Sequence, residues 1–110
     1  MYTFICENSI DGIFTGVYDA WASGHGHQNV RLISHPPENY ELFQEYIAVA
    51  PDSQKSEKVA ATLKNRLGEG VHYLICQAIL ANELTTRKGG PDKADCVYRT
   101  IVLGLAMKNG

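Results

Sequence analysis

The apolar positions along this chain change their period more than once, and the changes mark its elements. Tyr2-Thr3-Phe4-Ile5-Cys6 is rich in β-branched and aromatic residues and reads as a strand. Ser9 then stands as an N-cap. Asp11 lies in the first turn, where the positive end of the helix dipole favours an acid. Ile10, Ile13, Phe14, Val17, Tyr18 and Trp21 recur at helical spacing and form a wide apolar stripe that runs out near Ser23-Gly24. On this pattern Tyr18 and Trp21 are core residues. A second seam runs through Gly12, Gly16 and Ala20. Interior glycine costs a helix about 1 kcal/mol relative to alanine, so two on one face predict a very close neighbour.

Asn29 to Ser34 reads as a second strand, closed by His35-Pro36-Pro37 because proline cannot donate to a ladder. Tyr40 to Glu45 is ambiguous and includes a possible helical turn. Tyr46 to Ala50 reads as a third strand, stopped by Pro51. From Asp52 or Ser53 the pattern is helical, with Val59, Ala60, Leu63 and Leu67 on one face and Gly68 as the stop. Val71 to Ala81 is apolar nearly all round and predicts a buried central helix. Asn82 to Pro91 reads as a loop with a basic tip. Asp92 caps a last helix with Ala94, Val97, Tyr98, Ile101, Val102 and Leu105 on its apolar face. Short links between strands favour antiparallel pairing. The expected fold is α+β, a small three-stranded antiparallel sheet packed by three or four helices.

A length of 110 residues supports a single domain, residues 1–110. No apolar run approaches the roughly 18 residues of a membrane span, and the start of the chain has no basic region of the signal-peptide kind. Cys6, Cys76 and Cys96 are odd in number and far apart, which predicts reduced thiols and a cytoplasmic protein. The net charge of −2 argues against a general nucleic-acid binder. The halves differ, however. Residues 1–50 hold six acids and one base, a net of −5; residues 51–110 hold six acids and nine bases, a net of +3. In the basic half Lys55, Lys58, Arg66, Arg87, Lys88 and Lys93 lie off the apolar stripes, so they are read as solvent-facing candidates for phosphate contact.

His25-Gly26-His27 is the metal candidate, because a turn can aim two imidazoles at one zinc ion. A third ligand is required, and His35, His72, Cys6, Cys76 and Cys96 show no matching local spacing. The segment therefore reads mainly as a glycine-punctuated helix stop, and no metal or cofactor is expected. Cys6, at a strand end, is the position a nucleophile would occupy, and Cys76 reads as packing. Lys88-Gly89-Gly90-Pro91 lacks the order of a phosphate-binding P-loop. No residue is assigned a catalytic role.

Three segments, DGIFTGVYDAWASGHG, NYELFQEYIAVAPDSQKSEKVAATL and DCVYRTIVLGLAMKNG, together resemble a bacterial family described as probable DNA metabolism proteins. The likeness rests on a strand, a helix carrying Gly16, Tyr18, Ala20 and Trp21 in G-x-Y-x-A-W order, Leu42-Phe43, and the helices that follow. It implies an accessory domain in DNA repair or modification that binds nucleic acid or a partner enzyme. Some relatives look fused to a uracil-DNA-glycosylase-like domain, and the family accompanies a radical S-adenosylmethionine protein, the implied partner. Family members are longer, so the resemblance implies either the N-terminal part of a larger protein or a short homologue; if the protein continues, an apolar face left bare on the last helix of the short form would favour homo-oligomers. Two alternatives stand beside this reading: a small metal-dependent or hydrolytic enzyme using the His25/His27 region, and a structural module that packs against a further C-terminal region.

Overall fold

Tyr2–Ile5 (β1) and Val30–Ile33 (β2) are strands, as their β-branched and aromatic content dictates. Between them lies Ile10–Ala22 (α1), started by Ser9, whose hydroxyl accepts the Gly12 amide at 2.9 Å. After a single 3-10 turn at His27–Asn29 comes β2. Glu45–Ala48 (β3) follows, then Ser53–Leu67 (α2), Glu69–Leu80 (α3) and Lys93–Asn109 (α4). The computed structural model describes residues 1–37, 39–81 and 92–109.

The sheet order is β2-β1-β3 and both pairings are parallel, Phe4 lying opposite Leu32 on one side and Ile47 on the other. The antiparallel sheet expected from short links is therefore wrong. Two connections explain it. Between β1 and β2, α1 carries the chain back to the starting end of the sheet, as a parallel pair requires. Between β2 and β3 the return shows no helix among the described residues. The described residues 39–44 lie against the second face, where Gln44 Oε1 accepts from Thr3 Oγ1 at 2.6 Å and the Glu41 amide donates to the Tyr46 hydroxyl at 2.8 Å. Loop length alone does not reveal that a loop crosses a sheet. The rest of the expectation stands: among the described residues there are three strands and four helices, an α+β arrangement.

Strand alternation then sets the core. Phe4, Cys6, Val30, Leu32 and Val49 project toward the helices and join Ile13, Phe14, Val17, Leu63, Ile79, Tyr98 and Ile101. The helix buried on nearly every side is α1, from Gly12 to Val17 and again at Ala20. The central place expected for Val71–Ala81 belongs to it. On α3 only Ile75 and Ile79 are buried, while Tyr73, Leu74 and Leu80 face outward. Both seam glycines have the close neighbours their cost implied. A Cβ on Gly12 would lie 2.3 Å from the Glu7 carbonyl oxygen, and one on Gly16 2.2 Å from Cys6 Sγ.

The outer edge of β2 is closed by the side chains of α4. Asp95 Oδ1 accepts the Leu32 amide at 3.1 Å, and Asp92 Oδ1 accepts the Ser34 amide at 3.0 Å together with Ala94 at its own helix start. One turn further on, the Arg99 guanidinium donates to the carbonyls of Val30 and His27. Three polar residues thus do the work of a fourth strand. Lys93, beside them, is buried; its ammonium donates to the carbonyls of Ile79 and Ala81 at 2.7 and 3.1 Å and caps the negative end of α3.

Two predictions follow from this packing. Asp95→Ala leaves the Leu32 amide unpaired at a half-buried edge, so it should lower the unfolding free energy by about 1–3 kcal/mol in chemical denaturation. Gly16→Ala should cost about 1–3 kcal/mol through overpacking against the Cys6 sulfur. In Cys6→Ala that sulfur is gone, so adding Gly16→Ala there should cost less than it does in the wild type.

Candidate functional site

The seam that buries Gly12, Gly16 and Ala20 turns the next residue of α1 outward. Trp21 is 47% exposed rather than core. It stands on the rim of a groove of about 440 Å³ between α1, α2 and α4. Val17, Val59, Leu63, Ile101 and Leu105 form the buried floor, and Tyr18, Trp21, Lys58 and Thr62 form the rim. The volume lies within the roughly 300–1,000 Å³ typical of ligand pockets. Lys58 Nζ sits 5.8 Å from the centre of the Tyr18 ring, and Lys55 Nζ 5.6 Å from it. Helical spacing places Lys55, Lys58, Thr62 and Arg66 along one stripe of α2 beside this groove.

The basic candidates divide. Lys58 and Arg66 are exposed. Lys55 is held by Asp19 at 2.9 Å, and that hydrogen bond, with the carboxylate charge, raises its pKa above the usual lysine value. Lys93 is not solvent-facing as its position off the apolar stripe suggested, because the C-terminal carbonyls of α3 draw the ammonium inward. Arg87 and Lys88 lie outside the described residues.

His25 and His27 part company. The His25 ring stacks on Tyr2, with centroids 3.5 Å apart and planes nearly parallel. His27 Nδ1 lies 2.6 Å from the buried Tyr98 hydroxyl, and its ring stands edge-on to Trp21. Gly24 and Gly26, both of positive φ, shape the turn that carries the two rings, and Gly26 stands between them. Among the described residues no group of three His, Cys, Asp or Glu side chains gathers as a metal would need. Tyr98 has its pKa raised, chiefly by burial, so its hydroxyl stays protonated at neutral pH.

The thiols are poor nucleophiles. Burial, with the negative charges of Asp92 and Asp19, pushes Cys6 from 9.0 up to about 12. Cys76 Sγ lies 3.6 Å from His72 Nε2 on the same face of α3, yet desolvation raises this thiol too. A cysteine activated by histidine needs the opposite shift. The second pocket, about 280 Å³ at the end of β2, contains the His35–Asp92 pair, with His35 Nε2 3.0 Å from Asp92 Oδ2. Its other ring nitrogen faces the Pro36 carbonyl, so neither nitrogen is directed at a substrate. Trp21 is the residue that periodicity misplaced; the clue was the glycine seam, which marks the buried face of α1.

Fold and site together define a small parallel-sheet domain with an apolar, cation-rimmed groove. No protein-family model, no curated protein and no solved structure matches the chain. No described helix is long and apolar enough to cross a membrane.

The Cys6 thiol carries a pH prediction. Its folded-state pKa of about 12 lies above the ordinary 9.0, so above pH 9.0 the unfolded chain loses a proton that the folded chain keeps. Stability should therefore be insensitive to this group at neutral pH and fall as pH rises from 9.0 toward about 12. Cys6→Ala should flatten part of that fall in denaturation midpoints measured across the alkaline range. Iodoacetamide at neutral pH should modify Cys6 only once the protein is unfolded.

Proposed function

We propose that this chain is an accessory binding domain of a DNA-repair or DNA-modification protein, working in the cytoplasm, and that the groove between α1, α2 and α4 is its working surface. The observation that carries the reading is Trp21: a large ring, 47% exposed, at the rim of an apolar groove with Lys58 beside it. An exposed aromatic next to a cation suits an unstacked base and its phosphate, and base–aromatic stacking is sequence-tolerant. The family resemblance points the same way. Catalysis is not proposed, since the thiols are held protonated and neither His25 nor His27 has the partners of a general base. A second reading, docking of a partner enzyme such as the radical S-adenosylmethionine protein, is favoured by the floor of Val17, Leu63, Ile101 and Leu105, which would accept an apolar side chain.

Trp21 is the only tryptophan, so its fluorescence reports on the groove directly. Titration with a single-stranded oligonucleotide should quench it, with Kd on the order of 10⁻⁴–10⁻⁶ M at physiological salt. Duplex of the same sequence should quench it less, because its bases are already stacked. Lys58→Ala should weaken binding equally for all sequences, since phosphate contacts carry no base information. Trp21→Ala should cost about 1–3 kcal/mol in anisotropy with a labelled strand. Absence of binding at low salt would remove nucleic acid as the ligand and leave the partner enzyme.

A further inference from the structure

The two edges of the sheet are treated unequally. On β2, α4 satisfies the outward groups of Val30, Leu32 and Ser34 with Arg99, Asp95 and Asp92. On β3, the amides of Glu45 and Val49 donate to the carbonyls of Met1 and Ile5 on β1. By alternation Tyr46 and Ala48 turn their N–H and C=O groups the other way. Among the described residues nothing bonds to those groups. Just before this edge stands an apolar display: Tyr40 is 70%, Leu42 81% and Phe43 91% exposed. Phe43 also has a φ of 70°, the left-handed region that disfavours any residue but glycine. Natural sheets usually blunt such an edge with lysine, proline or a covering element. Among the described residues its charge is acidic, with Glu41 and Glu45 both exposed.

We propose that the outer edge of β3 is a strand-addition site for an extended, basic segment of a partner protein. The unpaired N–H and C=O groups of Tyr46 and Ala48 would pair with the segment's backbone, as in peptide recognition by β-augmentation. Leu42 and Phe43 supply apolar contact where the strand begins, and Glu41 and Glu45 select for positive charge. A second copy of the chain suits the edge less well. Self-pairing would bring two acidic edges together, and like charges placed opposite each other destabilise a pair of strands. The site is separate from the groove and does not depend on its ligand.

The test uses a capped peptide of alternating lysine and valine, read by amide hydrogen exchange of the whole chain. Binding should slow exchange at Tyr46 and Ala48 by more than about tenfold, while Ile47 and Val49, already facing β1, change little. Ala48→Pro removes only an outward amide, which an edge strand tolerates, and should abolish that protection. If circular dichroism shows Ala48→Pro unfolded, the double variant Glu41→Lys, Glu45→Lys keeps the backbone intact. It should lose the lysine peptide and bind a glutamate–valine peptide instead. Phe43→Gly should weaken binding without lowering the thermal midpoint. The proposal falls if the peptide fails to protect these two amides, or if the charge-reversed variant keeps its preference. It also falls if raising the protein concentration alone protects them, which would assign the edge to a second copy.

Discussion

Everything in this domain leans on the contact between the first turns of α4 and the outer edge of β2. A sheet of four-residue parallel strands has little ladder of its own, and an edge strand that faces protein must find partners for its outward backbone groups. Asp92, Asp95 and Arg99 provide them at a spacing set by the helix, so the polar face of α4 meets the strand while its apolar face, from Ala94 to Leu105, enters the core. The same turns bury Lys93 against the end of α3. One helix start therefore fastens the sheet, the core and the peripheral helix together.

The groove is a consequence of that arrangement. Because α4 is committed to β2 at its start, it meets α2 chiefly further along, where Gly104 approaches Leu67. The second half of α1 is left with space beside it, and Trp21 projects there. At the other end of α1 the contact is tight: Thr15 Oγ1 donates to the Asp11 carbonyl at 2.6 Å and accepts the Asp52 amide at 3.0 Å, and Ser56 reaches Asp11 at 2.8 Å. The helix pair is clamped where α2 begins and open toward the groove.

Element positions were legible in the sequence because they depend on local chemistry. Ser9 and Asp52 cap helices as their short polar side chains allow, and Gly68 ends α2 with a positive φ of 97°. The glycine seam announced close packing, since two glycines at one spacing inside a helix have no other advantage. The turn at His25-Gly26-His27 was legible for the same reason. What the chain alone could not reveal was direction and neighbourhood. Parallel pairing was decided by a loop laid across a sheet face, and no local signal encodes that path. The apolar character of α3 could not say which sides would be covered, and Lys93 read as solvent-facing because a charged side chain off the apolar stripe normally is. Its burial required the carbonyl end of another helix, brought to it only by the folded chain. Residue types and their periodicity thus determined which segments are helices and strands and where they stop. Only the tertiary structure decided which groups face one another, because burial and electrostatic pairing are properties of surfaces in contact and not of positions along a chain.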